Sequence, residues 1–203
     1  MSIYYSYDKI LSYNALISII LGNRGCGKSF NAKVMVLKNF LKTGEQFIYL
    51  RRYKTELDSA LATFWDDLQA HGYFEDNELK VKKSKMLTTF TCDGEVCGYA
   101  VPLSTSNILK STAFPKVKFI IFDEFILDTS AGTYKYIRRE PELLLDAIET
   151  IFRLRNDGRV LMLGNYINFF GCPYTSFFEL DLPYNSEFRT FKDGTIVIQI
   201  INN

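Results

Sequence analysis

"ALISIILGNRGCGKSF", Ala15 to Phe30, decides the fold. The run Ala15 to Leu21 is apolar but for Ser18, rich in Ile and Leu, and ends at glycine, which reads as a buried parallel strand. The next residues, Gly22 to Ser29, fit the pattern G-x-x-x-x-G-K-S of a phosphate-binding P-loop. Gly22, Gly25 and Gly27 let the backbone fold back so that its N–H groups face phosphate oxygens, and the following helix adds its positive N-terminal end. Lys28 is expected to reach the β and γ phosphates and the Ser29 hydroxyl to ligate Mg²⁺. The loop's remaining members, Asn23, Arg24 and Cys26, and the adjoining Phe30 are counted with it as nucleotide-binding candidates.

Outward from the loop, strands and helices alternate. Helical spacing of Ala32, Met35, Val36 and Phe40 predicts a helix over Lys28 to Leu41, stopped by Gly44. Gln46 to Arg52 reads as a strand, and residues 55–72 as one helix with Leu57, Leu61, Phe64, Trp65 and Leu68 on a single face. Residues 79–103 change character, to short strands with Asp93-Gly94 as a tight turn, an antiparallel insertion or sheet extension. A buried strand resumes at "KVKFIIFDEF", followed by a helix from Pro141 through "ELLLDAIETIFRLR" and a strand "RVLMLGN". A last hairpin joins "FRTF" to "TIVIQI" through Lys192-Asp193-Gly194. The expected organisation is an α/β P-loop domain over residues 1–180, its mainly parallel sheet flanked by helices. Residues 181–203 are then a hairpin or the start of a linker to a further domain.

The strand before Asp123 and Glu124 delivers both acids at its C-terminal end. Asp123 is expected to hold Mg²⁺ through water, and Glu124 to orient or deprotonate an attacking water. That pair argues for hydrolysis, since a kinase must exclude water. A GTPase is disfavoured because the chain has no N-K-x-D motif. What remains is an ATPase of the additional-strand, catalytic-glutamate (ASCE) type, in which "RVLMLGN" separates the two motif strands and Asn165 at its tip faces the γ phosphate or only makes a turn.

Several cations are candidates to complete the site. Arg153 and Arg155 end the Pro141 helix, where positive charge is favourable in any case; Arg153 is the candidate finger for a neighbouring subunit's phosphate. Arg51, Arg52 and Lys54 follow a strand, at the end where open α/β sheets place their sites, and either face a nucleotide or are solvated. Arg24, at the mouth of the loop, senses the γ phosphate, meets an adjacent subunit, or is simply solvated. The basic run Lys80, Lys82, Lys83 and Lys85 either tracks phosphates or is a solvated strand edge.

Composition narrows the classes further. With 203 residues, 47% of them hydrophobic, the chain is long enough for one real core. A net charge of +1 leaves no global positive field for nucleic acid, so any such contact is local. No apolar run approaches the roughly 18 to 20 residues of a membrane span, and "MSIYYSYDK" lacks the regions of a signal peptide, so a cytoplasmic location is expected. Cys26, Cys92, Cys97 and Cys172 form no metal-ligand pattern with the single His71 and are expected as reduced thiols.

"LSYN…ILGNRGCGKS", "GEQFIYLRRYKTEL", "GYAVPLS", "FDEFI" and "IFRLRND…LGN" together resemble the DNA-encapsidation ATPases of small podophages, the phi29-like packaging motors. The resemblance runs from about Lys9 to Asn165. It implies a homopentameric ring on the portal vertex of an empty prohead, hydrolysing ATP to drive double-stranded DNA inside, in some members through a structural RNA. It further implies host cytoplasm as the location, transient attachment to the prohead, and absence from the mature virion. By position Lys28 and Ser29 match the family's P-loop, Asp123 and Glu124 its Walker B acids, and Arg153 its trans-acting finger. Lys54 and Lys110 match lysines around the subunit interface, and the resemblance implies a C-terminal nuclease-like domain after Asn203. Two other readings stand beside this one: a P-loop kinase of a small metabolite, and a nucleotide-dependent DNA-binding or assembly module with little turnover.

Overall fold

The computed structural model describes residues 5–84, 87–128, 132 and 134–201. In chain order the strands are β1 (Ile17–Gly22), β2 (Gln46–Arg51), β3 (Leu79–Lys82), β4 (Thr88–Cys92), β5 (Glu95–Pro102), β6 (Val117–Asp123), β7 (Arg159–Gly164), β8 (Phe188–Phe191) and β9 (Ile196–Ile201). They form one nine-stranded sheet in the order β3-β4-β5-β2-β6-β7-β1-β9-β8. From β5 to β9 neighbours run parallel, while β3 and β4 at one edge and β8 at the other are antiparallel. The 79–103 segment therefore extends the main sheet, and β9 lies directly beside β1. Lys85 of the basic run lies outside the described residues.

Helices cover both faces because the central strands bury both sets of alternating side chains. Ile20, Phe47, Tyr49 and Ile121 pack with α2 (Lys28–Thr43), α3 (Lys54–Leu61) and α4 (Asp66–Ala70). Ile19, Leu50, Phe122 and Met162 pack on the other side with α5 (Glu140–Phe152) and with Tyr174 of α6 (Pro173–Phe177). A short α1 (Asp8–Leu11) precedes β1.

Residues 55–72, expected as one helix, are two: α3 ends at Leu61 and α4 begins at Asp66. Phe64 and Trp65 lie in the turn between the two helices. The break buries both, at 1% and 4% exposure, against Phe90 and Phe47. It also frees the Phe64 carbonyl, which accepts from the buried Lys33 Nζ at 2.8 Å, while Lys33 pairs with Asp67. Helix α5, expected to run through Arg155, stops at Phe152. Arg153 follows it with a φ of 53°, so Arg155 lies beyond the helix and donates to the Phe114 carbonyl.

Candidate functional site

The parallel strands bring their C-terminal ends to one rim, and a cleft of about 530 Å³ opens there. Gly25, Gly27, Lys28 and Ser29 line one wall, Asp123 and Glu124 the floor, and Gly164 and Asn165 the end of β7. Gly25 and Gly27 carry φ of 83° and 82°, left-handed conformations that glycine adopts without a Cβ clash. Gly27 caps α2, so the helix N-terminus points into the cleft. The Lys28 ammonium curls back over the loop and donates to the carbonyls of Gly22 and Asn23, 2.8 and 2.9 Å away. It also approaches the buried Cys26 thiol at 3.3 Å.

Ser29 and Asp123 come together across 94 residues of sequence: the Ser29 hydroxyl donates to Asp123 Oδ1 at 2.9 Å. The same oxygen accepts the Glu124 N–H at 3.0 Å, and Oδ2 accepts the Tyr49 hydroxyl at 3.0 Å. Burial and then the Asp123 charge push the Tyr49 phenol well above its usual range, so it stays protonated and remains a donor. A hydroxyl and a carboxylate converging in this way suit Mg²⁺, which takes one or two protein oxygens and keeps water and phosphate for the rest. Among the described residues no three acidic, His or Cys side chains gather as a closed metal cage.

Arg51 lines an adjoining pocket that shares Glu124 with the cleft. Its guanidinium lies 2.5 Å from Glu124 Oε2 and 3.6 Å from Asp123 Oδ2. Burial works against this charge, but Tyr49, Asp123 and Glu124 outweigh it and raise its pKa. Arg24 reaches across the mouth to Asp128 at 2.9 Å, on the exposed side. Phe30 lines the cleft beside His71, their rings edge to face at 5.3 Å. Asn165 Oδ1 accepts the Ile167 N–H at 3.2 Å, which turns the chain after β7.

Other expected residues lie away from this centre. Lys54 begins α3 and pairs with Asp58 at 2.8 Å, and Lys110 pairs with Asp146 on α5 at 2.9 Å. Arg52 is neither solvated nor turned to the cleft: it is buried at 1% exposure against Glu140. Arg153 is exposed where α5 gives way to the start of β7, at the opposite rim of the sheet. The six residues of β7 separate the rims by about 20 Å at ~3.3 Å per residue, too far for an arginine to reach its own cleft.

The roles of Tyr49 and of the Arg52–Glu140 pair were missed by sequence reasoning. The signal was the two-residue period of "QFIYLRR": Tyr49 and Arg51 share one strand face, and Arg52, just past the end of β2, continues the alternation to the side of Leu50.

Fold and cleft define a mixed α/β protein with a mostly parallel nine-stranded sheet and a glycine loop leading into a helix. A family model described as podovirus DNA encapsidation protein (Gp16) matches residues 1–202, and the chain belongs to that family. The DNA packaging proteins of Bacillus phages phi29 and PZA are each 39% identical over 197 residues, 97% of this chain. The chain spans 56% of the length of these relatives. The crystal structure of the N-terminal domain of the DNA packaging ATPase from bacteriophage phi29 superposes with a TM-score of 0.84. It is 37% identical, and the match covers 99% of this chain and 97% of that one. A chain of the phi29 viral genome packaging motor assembly matches with a TM-score of 0.80 and 38% identity, over 98% of this chain and 57% of that one.

Proposed function

We propose that the chain is an ATPase domain of the additional-strand, catalytic-glutamate type, working in a motor that packages double-stranded phage DNA. The observation that carries the chemistry is the Ser29–Asp123 contact at 2.9 Å, with Glu124 next in sequence and the glycine loop on the facing wall. The strand order supports the subclass, because β7 lies between β1, which ends in the loop, and β6, which ends in the acids. Family membership supports the motor.

In this mechanism the loop N–H groups and Lys28 take the ATP phosphates. The Lys28 ammonium exchanges the neutral Gly22 and Asn23 carbonyls for anionic phosphate oxygens, which adds attraction between opposite charges. Ser29 and Asp123 would hold Mg²⁺, which when bound would offset negative charge on the phosphates. Glu124 takes the proton from the attacking water once its carboxylate leaves Arg51, and Asn165 faces the γ phosphate from the tip of β7. Arg153 of one subunit enters the cleft of the next, so each hydrolysis event depends on the geometry between subunits and can move DNA. Lys54 and Lys110 belong to the same interface.

The partners are double-stranded DNA, further copies of the chain in a pentameric ring, and the prohead portal, reached directly or through a structural RNA. The motor acts in the host cytoplasm, attaches transiently and is absent from the mature virion. The domain runs on past residue 180, because β9 pairs in parallel with β1 inside the same sheet and β8 closes that edge.

Glu124→Gln tests the reading. The variant should bind ATP like the wild type and hydrolyse it about 10² to 10⁴ times more slowly, the usual contribution of a positioned base. Normal turnover by this variant would remove Glu124 as the base. A phosphorylated small-molecule acceptor, with no free phosphate released, would favour the kinase reading instead.

A further inference from the structure

Arg51 and Arg52 are neighbours in sequence with opposite fates. Arg51 meets the acids of the cleft, whereas the Arg52 side chain has 0% exposure inside the fold. Its guanidinium grips Glu140 with two bonds, Nε to Oε2 at 2.8 Å and Nη2 to Oε1 at 2.9 Å. Glu140, equally buried at the start of α5, also accepts the Tyr174 hydroxyl at 2.9 Å and the Ile137 N–H at 2.8 Å. The carboxylate is thus fixed from three directions, and the guanidinium plane is fixed with it.

That grip uses two of the five guanidinium N–H donors, and Arg52 makes two further bonds with the rest. Nη2 donates to the Phe125 carbonyl at 2.5 Å, and Nη1 reaches the Glu124 carbonyl at 3.4 Å. These are the consecutive carbonyls of the turn that carries Glu124. Glu124 itself sits at φ 55°, a left-handed conformation that a side-chain-bearing residue holds only when its surroundings enforce it. Its N–H is taken by Asp123 Oδ1 and the Phe125 N–H by the Leu163 carbonyl. Donors from below and acceptors from above leave this turn one arrangement.

We propose that Arg52, locked by Glu140, is a positioning residue for Glu124: it holds the strained turn that aims the carboxylate at the attacking water. The inference rests on the assignment of Glu124 as the water-activating base. Arg52 touches no substrate and acts only through the turn. Because Glu140 begins α5 and Tyr174 belongs to α6, a shift of either helix is passed to Glu124 through the one guanidinium.

The test is ATP binding and hydrolysis by the assembled protein carrying Arg52→Lys, which keeps the charge but not the planar fork. The variant should melt cooperatively and bind a non-hydrolysable ATP analogue as tightly as the wild type. Its kcat should fall on the order of 10- to 100-fold, the scale expected of a misplaced catalytic group, with KM changed less than about twofold. In a Glu124→Gln background the same substitution should cost less than about twofold, because there is no base left to position. Wild-type kcat in Arg52→Lys, or an equal loss in both backgrounds, would overturn the proposal. If Arg52→Lys does not fold, the double variant Arg52→Met/Glu140→Leu, which leaves no orphaned charge, decides by the same readouts. Failure of both to fold would make the pair a requirement of folding and not a positioning device, and the proposal would fall. Normal turnover by Glu124→Gln alone would instead indict the assignment of the base.

Discussion

At the C-terminal rim of the parallel strands, the positive side chains have partners within the chain. Lys28 is spent on the carbonyls of its own loop, Arg51 on Asp123 and Glu124, and Arg24 on Asp128. At the opposite rim Arg153 stands exposed after α5, next to a fully exposed Leu154. One rim has gathered strained backbone, acids and a helix N-terminus, and has committed its charges inward. The other presents a cation and an apolar side chain outward, about 20 Å away by the rise of the intervening strand. Under the proposed function the two rims would be half-sites, and they would meet only between copies of the chain.

The comparison breaks most sharply at Lys28. Lys28→Ala should abolish ATP turnover, by about 10³-fold or more, because charge on the transferring phosphoryl group is worth that much; a phosphate-release assay checks it. The same substitution should leave thermal stability within about 0.5 kcal/mol, as for other partly exposed positions. Gly98→Ala should do the reverse. A Cβ there would stand 2.7 Å from the Phe47 ring and 2.8 Å from the Phe47 carbonyl, where Gly98 of β5 pairs with Phe47 of β2. The expected cost is about 1–3 kcal/mol of unfolding free energy, measured by urea titration, with ATP affinity little changed.

The smallest effect concerns the thiols. Burial, followed by the Asp93 charge, pushes Cys92 up to about 11, and burial, followed by Cys92, pushes Cys97 up to about 12. Both therefore remain neutral at pH 8, and the folded protein should resist iodoacetamide at these two positions while the urea-unfolded chain reacts. Mass spectrometry of the labelled peptides reads the difference. All four cysteines are free and buried, as expected of reduced thiols.

Local chemistry explains which parts of this were legible in the sequence. The loop, the acids and the central strands announce themselves through continuous apolar runs that end in glycine or in charge, and the pattern puts β7 between the two motif strands, where it lies. The break between α3 and α4 was hidden, because Phe64 and Trp65 fit a helical stripe until their burial against Phe90 is counted. Arg52 was hidden for a related reason. A charge after a strand reads as solvated unless its partner is known, and Glu140 lies 88 residues further along. Tyr49 looked like core and is core, yet its hydroxyl reaches Asp123. Long-range polar pairing of buried residues leaves almost no trace in local pattern.

The two-rim account turns on whether Arg153 acts in a neighbour's cleft. Subunits carrying Arg153→Ala and subunits carrying Glu124→Gln should each be inactive in ATP hydrolysis, the first lacking the finger and the second the base. Mixed in equal amounts under conditions where rings form, they should regain a measurable fraction of wild-type phosphate release, because an intact Arg153 then faces an intact Glu124 at some interfaces. Mixed rings with no recovered activity would contradict the account.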